Sequence, residues 1–392
     1  PLFIQGIISM ENISVFVTTI LKEMEVLNMT SDPNFKLQDF VKEGIVWHNP
    51  LFSEKLKVYG LNYLSTNENY WRLPREKRNL IESINPALWS LAENTAGVQA
   101  HFYTDSKSIH LDVEIANNDN LAGMTPLARA GFDLYLGKDF ESLKFFGSTS
   151  FDPKLTKYQF SFTNYLTGKT LVVLNFPLYV GLKKLFIGID EGKDILLANS
   201  FEDKPRIIAY GTSITQGGCA SRPGLNYPNI LSRKMQREWL NFGFSGNAFG
   251  EEKLIEILAD IKNVDCFIID YEANSGLNGK LVLTLKKMIE IIRAKQKDLK
   301  IVIISRIPYL PETIDKYQEK LRGELRLFQK ETVAWFNNKG DEKIFFIDGS
   351  KLLGEDFSEM TVDLVHPNDL GFMALANNLE KILNDILNVK EK

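Results

Sequence analysis

After residue 203 the chain alternates five times between a short apolar run and a longer segment of helical period. The runs cover 206–210, 239–244, 264–271, 300–305 and 343–348; the helical patterns cover 227–238, 251–261, 281–296, 312–337 and 368–387. Runs with so little apolar–polar alternation belong to strands buried on both faces, and connections of this length suit parallel neighbours joined by helices. This part of the chain is therefore expected to form a five-stranded parallel sheet covered by helices on each side.

From about residue 41 to 198 the rhythm differs. Segments 56–59, 98–103, 108–115, 132–136, 158–162, 170–174 and 184–189 alternate or are β-branched, with turn residues between them. Several short strands without intervening helical periods predict an antiparallel sandwich. Residues 75–93 are the exception: charge followed by Leu and Trp predicts a short helix or an irregular crossing. A chain of 392 residues is too long for one ordinary core. The expected division is an N-terminal extension over 1–40, a β-sandwich domain over 41–200 and an α/β domain over 201–392, with a linker at the polar stretch Asn199-Ser-Phe-Glu-Asp-Lys-Pro.

Composition excludes more than it selects. With 24% charged residues and a net charge of −4, the chain lacks the basic excess of a nucleic-acid-binding protein. Lysine-rich stretches such as Lys286-Lys-Met and Lys295-Gln-Lys read as solvated helix faces. Two cysteines, Cys219 and Cys266, make neither a disulfide framework nor a metal knuckle. Cys266, inside an apolar run, reads as a buried small hydrophobe, and Cys219 as a wall residue near a site. No run approaches the length of a membrane span. Residues 1–21 lack a basic leading region and a small-residue cleavage pattern, so no signal peptide is expected and a cytoplasmic location is favoured. Homo-oligomerisation is left open.

In a parallel sheet of this kind ligands bind beyond the carboxyl ends of the strands. Ser213 follows the first strand on a small-residue turn. Ser245-Gly-Asn follows the second, Glu272-Ala-Asn274 the third, and Asp363 and His366 the fifth. A serine hydroxyl becomes a useful nucleophile only when a base takes its proton and a third group holds that base. Of four histidines (His48, His101, His110 and His366) only His366 lies beyond residue 110. Ser213, His366 and Asp363 are thus the expected nucleophile, base and orienter. Backbone N–H groups of Ser213 and Gly246 and the side-chain amide of Asn274 are suited to an oxyanion. Arg222 and Tyr227, close after the nucleophile, are weaker candidates for meeting substrate hydroxyls, as is Glu272. No metal or organic cofactor is required by this chemistry.

These four blocks resemble those of the SGNH hydrolases, the GDSL-type lipases and esterases, whose serine, glycine, asparagine and histidine occur in the order Ser213, Gly246, Asn274, His366. The first block reads Gly211-Thr-Ser-Ile where the family has Gly-Asp-Ser-Leu. The third reads Glu272-Ala-Asn-Ser where the family has Gly-x-Asn-Asp. The stretch Tyr210-Gly-Thr-Ser-Ile-Thr-Gln-Gly-Gly-Cys-Ala-Ser-Arg-Pro-Gly is similar to a bacterial branch with a β-rich N-terminal domain. That domain is marked by Gly-x-Asp-Leu-Tyr, here Gly131-Phe-Asp-Leu-Tyr135, which itself reads as a structural strand and turn. The resemblance covers about residues 45–390. It implies a flavodoxin-like parallel sheet preceded by an all-β, jelly-roll-like sandwich. It also implies an esterase acting through an acyl-enzyme on short acyl groups, acetyl first, carried by a carbohydrate.

Three other readings stay open at this point. Thr212-Ser-Ile-Thr-Gln-Gly-Gly could cradle a phosphate in a flavodoxin-like module, although it is neither a Walker A loop nor a dinucleotide fingerprint. The β domain could belong to a non-catalytic carbohydrate-binding protein. An acyltransferase would use the same acyl-enzyme, with another hydroxyl in place of water.

Overall fold

The computed structural model describes Phe40, residues 43–201 and residues 204–388. The expected extension over 1–40 lies, Phe40 apart, outside the described residues, as does the stretch tested for a signal peptide.

Residues 206–347 build the parallel sheet. Its strands are β11 (Arg206–Gly211), β12 (Trp239–Gly243), β13 (Val264–Asp270), β14 (Lys300–Ile304) and β15 (Ile344–Ile347), ordered β12-β11-β13-β14-β15. Relative to its own first strand the order is 2-1-3-4-5, the flavodoxin-like arrangement, with its topological switch between β11 and β13. The strands carry apolar side chains on both faces because both are covered. Ile208, Tyr210, Leu240, Phe242, Phe267 and Ile269 point into one core, and Ile207, Ala209, Cys266 and Ile268 into the other.

Two antiparallel sheets precede it. One has the order β1-β9-β4-β7, from β1 (Ile45–His48), β4 (Ser108–Ile115), β7 (Lys157–Thr163) and β9 (Leu182–Asp190). The other has the order β10-β3-β8-β5-β6, with β2 beside β3. Its strands are β2 (Lys57–Tyr59), β3 (Gln99–Thr104), β5 (Asp133–Gly137), β6 (Lys144–Ser148), β8 (Thr170–Asn175) and β10 (Ile195–Leu197). Alternate residues of both sheets, among them Phe102, Leu111, Leu134, Phe160, Val172 and Ile187, share one core. Strands β1, β6 and β10 were not expected. All three end a sheet's order, where strands are short and half-exposed and so carry little hydrophobic pattern.

Among the helices are α1 (Arg78–Ile84), α2 (Pro86–Ala92), α3 (Ser213–Gln216), α4 (Tyr227–Met235), α5 (Glu252–Ala259), α6 (Lys280–Lys295), α7 (Pro311–Ile314), α8 (Lys316–Asn337) and α9 (Asp369–Leu387). One core layer of the parallel sheet takes α5, α6 and α8; the other takes α4 and α9. The single helix expected over 312–337 is broken at Asp315. That residue adopts extended angles (φ −116°, ψ 113°) and caps α8 by accepting from Tyr317 N.

The crossing at 75–93 is helical, and it belongs in space to the parallel sheet. Leu88 and Trp89 of α2 are buried with Phe242, Phe244 and Leu254. Just ahead of it, the buried Arg72 donates to the carbonyls of Asn241 (2.8 Å) and Gly243 (2.9 Å) at the end of β12. A segment from the middle of the β region thus braces the strand that leads into the Ser245–Gly246 turn. The described residues pack as one compact unit.

Candidate active site

Strand β11 ends at Gly211, where a Cβ would lie 2.0 Å from Thr215 Oγ1 and 2.6 Å from the Asp270 carbonyl. Only a glycine lets the chain turn this tightly into α3. Thr212 caps the turn, its Oγ1 accepting from Ile214 N, and Gly217 closes it at φ 112°. Ser213 therefore sits at the first position of α3, two residues after the strand ends and beyond the carboxyl edge of the sheet.

Its Oγ lies 2.8 Å from His366 Nε2, and His366 Nδ1 lies 2.7 Å from Asp363 Oδ2. The loop holding these last two is a tight local device. Asp363 Oδ1 accepts from the backbone N–H groups of Val365 (3.1 Å) and His366 (2.8 Å), and Leu364 between them takes φ 68°. Thr361 bridges to Pro367, and Asn368 caps α9 through Gly371 N. Partial burial alone would raise the Asp363 pKa. The hydrogen bonds and charge of His366 and the Val365 N–H outweigh it and hold the carboxyl below its ordinary range. An ionised carboxylate at Nδ1 leaves Nε2 facing the serine, as a base requires.

The other two blocks converge on the same edge. Phe244 N donates to the Gly211 carbonyl, tying the end of β12 to the start of the serine turn. Gly246 adopts φ 69° with open space where a side chain would be, so its backbone angle is what calls for glycine. Asn274 Nδ2 donates to the Phe244 carbonyl at 3.2 Å, which uses one of its two hydrogens.

Two residues that sequence reasoning passed over connect this edge to the β region. The buried Gln216 donates from Nε2 to the Leu178 carbonyl (3.1 Å) and accepts at Oε1 from Ser245 N (3.0 Å). It thereby fixes the peptide ahead of Gly246. Tyr179 donates its hydroxyl to the Ser213 carbonyl at 3.3 Å, and that carbonyl also accepts from Gly217 N and Gly218 N. Gln216 was within reach of sequence reasoning, since it shares the block with Ser213. Tyr179 was not, because its partner lies 34 residues away.

The three candidate substrate-binding residues need correction. Tyr227 is 0% exposed, with its hydroxyl on Thr215 Oγ1 and Asp270 Oδ2 (both 3.1 Å), so it is a core residue beneath the serine turn. Glu272 is buried behind the sheet edge; it accepts from Arg306 N (2.8 Å) and Gln329 Nε2 (2.7 Å) and lies 3.6 Å from Arg322. Arg222 faces the β region instead, donating to Asp133 Oδ2 (2.6 Å) and the Tyr135 hydroxyl (2.9 Å). Proximity in sequence to Ser213 and Asn274 was a poor guide, because the chain leaves the sheet edge within one turn.

Cys219 is a wall residue in the site. Burial, with Asp363 nearby, pushes its thiol up to about 11, which keeps it protonated and unsuited to attack. Cys219, Asp363 and His366 place one ligand atom each within 4.8 Å of one another, so they are the residues that could hold a metal ion here. Both imidazole nitrogens are already in hydrogen bonds. The remaining histidines lie on β1, β3 and β4 of the antiparallel sheets.

Asp270, under the serine turn, has its pKa raised to about 6 by burial, against the hydrogen bonds from Tyr227 and Thr215. A raised carboxyl pKa favours folding fully below the unfolded value, near 4, and that contribution is lost as pH rises through about 6. Asp270→Asn mimics the protonated form. Relative to wild type it should gain about 3 kcal/mol between pH 4 and pH 7, two pKa units at 1.36 kcal/mol each. Urea denaturation of both proteins at the two pH values checks this; a pH-independent difference would refute it.

A parallel 2-1-3-4-5 sheet, with a hydroxyl, an imidazole and a carboxylate in line at its carboxyl edge, defines an α/β protein of flavodoxin-like topology whose site is arranged for nucleophilic chemistry by a serine. Residues 204–384 match the GDSL-like lipase/acylhydrolase family, and residues 45–195 match the domain that forms the N-terminus of SGNH-type esterases. The chain thus carries a GDSL-like lipase/acylhydrolase domain over residues 204–384, preceded by the N-terminal domain of SGNH-type esterases over residues 45–195.

Solved structures agree on the fold. A protein described as a GDSL-like lipase, from Bacteroides ovatus, is 29% identical with a TM-score of 0.78, over 89% of this chain and 99% of that one. The salicylyl-acyltransferase SsfX3 from a tetracycline biosynthetic pathway is 19% identical with a TM-score of 0.73, over 89% and 100%. A family two carbohydrate esterase from Cellvibrio japonicus is 10% identical with a TM-score of 0.55, over 88% and 98%. No curated protein matches the chain. Among the described residues no helix is long and apolar enough to cross a membrane.

Proposed function

We propose that this protein is a serine esterase that removes short acyl groups, acetyl first, from hydroxylated alcohols of the carbohydrate class. The observation that carries the reading is the unbroken chain of hydrogen bonds from Ser213 Oγ through His366 to Asp363. His366 Nε2 takes the hydroxyl proton as Oγ attacks the ester carbonyl, and Asp363 holds the imidazole and stabilises its charged form. The N–H groups of Ser213 and Gly246 and the free hydrogen of Asn274 Nδ2 receive the oxyanion. His366 returns its proton to the leaving alcohol, then activates the water that frees Ser213.

The saccharide part of the reading is motivated by the carbohydrate esterases that share the fold, one of them, from Clostridium thermocellum, solved with cellohexaose. A salicylyl-acyltransferase shares it too. Hydrolysis is favoured over transfer because Asp363 and its loop are exposed, so water has access to the base. Serine-dependent release of acetate from acetylated xylan, with p-nitrophenyl acetate as the simple ester, tests the proposal. Acyl transfer to an added saccharide with no free acid formed would favour the transferase.

Asn274→Ala should lower kcat by about 10²–10³-fold, the usual loss of one oxyanion donor. A change confined to KM would assign Asn274 to ground-state binding instead.

A further inference from the structure

A cleft of about 360 Å³ opens beside the Ser245–Gly246 turn, between it, helix α2 and the loop that follows β4. Its place is set by Tyr179, whose hydroxyl rests on the Ser213 carbonyl, and by Ser245 and Asn247, which flank the open space at Gly246. We infer that this cleft is the subsite for the alcohol half of the ester, and that it takes one hydroxyl-rich ring of sugar size. The inference rests on the esterase reading above and adds the place and chemistry of the substrate's larger part.

The polar groups of the cleft argue for a polyol. Ser90, Asn94, Asn117, Asp119 and Asn247 all line it. The side chains of Ser90, Asn94 and Asp119 make no hydrogen bond within the described residues, so they are available to a ligand. Asn247 is held in place, its Oδ1 accepting from Asn85 Nδ2 (2.9 Å) and its Nδ2 donating to the Ser245 carbonyl (2.7 Å). A carboxylate accepts from hydroxyls, amides both accept and donate, and a serine hydroxyl does either. That mixture matches a ring of vicinal hydroxyls, while Leu91, Leu121 and Ala116 offer apolar surface to its C–H groups. An alkyl acyl chain in the same place would strip water from these groups without replacing its hydrogen bonds. The volume lies at the small end of ligand sites, which suits one ring rather than a stretch of polymer.

Sites built to hydrogen-bond hydroxyls discriminate strongly against substrates that lack them. The test measures kcat/KM for monoacetylated methyl β-xyloside and for p-nitrophenyl acetate with wild type, Asn94→Ala, Asp119→Ala and the double variant. The ratio of the two values should fall about tenfold in each single variant and further in the double. An unchanged ratio overturns the inference, whether both activities drop together, as a structural role would make them, or neither moves. Asp119→Leu supplies a second check: if it raises turnover of p-nitrophenyl octanoate, the cleft holds the acyl chain and the inference is wrong. Failure here is distinguishable from failure of the esterase reading. In the first case wild type still hydrolyses p-nitrophenyl acetate through Ser213; in the second it hydrolyses neither ester and both fall.

Discussion

Ser213→Ala should lower ester turnover at least about 10⁴-fold while leaving the denaturation midpoint nearly unchanged. The Ser213 side chain makes one hydrogen bond, to His366 Nε2, so little of the fold depends on it. Turnover depends on it entirely if the acyl group passes through Oγ. His366→Ala should produce a loss of similar size, because a hydroxyl without its base is nearly inert at neutral pH. The informative variant is the double one. Residues that act as a unit are not additive, so removing both should cost little more than removing either. Multiplying losses would mean that serine and histidine serve separate steps. Retention of more than about 1% of turnover in a well-folded Ser213→Ala protein would dispose of the acyl-enzyme.

The largest effect on stability is expected far from that hydroxyl, at Asp133 of the Gly131-Phe-Asp-Leu-Tyr135 motif. Asp133 is fully buried and accepts three hydrogen bonds, from Arg222 Nη1 (2.6 Å), Gly224 N (2.8 Å) and Asn175 Nδ2 (2.7 Å). Asn175 continues the network to Gln99 on β3. A Cβ on Gly224 would stand 2.8 Å from both carboxylate oxygens, so the loop's glycine is matched to the carboxylate it approaches. The guanidinium also lies 3.8 Å from the Phe145 ring centroid. Asp133→Ala leaves this cation and the Gly224 N–H facing each other with nothing between them. Breaking a buried pair from one side costs about 3–5 kcal/mol, and the lower figure fits here because Arg222 is partly exposed. Urea denaturation should show a loss of about 3 kcal/mol for Asp133→Ala. A loss under about 1 kcal/mol would show that the motif does not anchor the loop. Through this network strand β5 of the β region clasps the segment that follows the nucleophile.

Much of this was legible in the chain itself. The parallel sheet could be read because strands buried on both faces have to be apolar nearly throughout, and the helices between them keep their period. The serine, glycine, asparagine and histidine blocks could be ordered because each follows a strand, and topology brings strand ends to one edge. Gly246 was visible too, as a glycine that permits an unusual backbone angle in the turn beyond the second strand.

Only the tertiary structure decided what each polar side chain faces. Tyr227 and Glu272 lie one turn beyond the edge and point into the core, while Tyr179 and Gln216 arrive from outside the expected set to hold the serine carbonyl and the Ser245 peptide. Helix α2, placed by sequence in the β region, packs on the parallel sheet and walls the cleft beside Gly246. The physical reason is one of range. Period, propensity and turn chemistry act over a few residues and are written locally. A hydrogen-bond partner 34 or 89 residues away is chosen by packing, which exists only when the whole chain has folded.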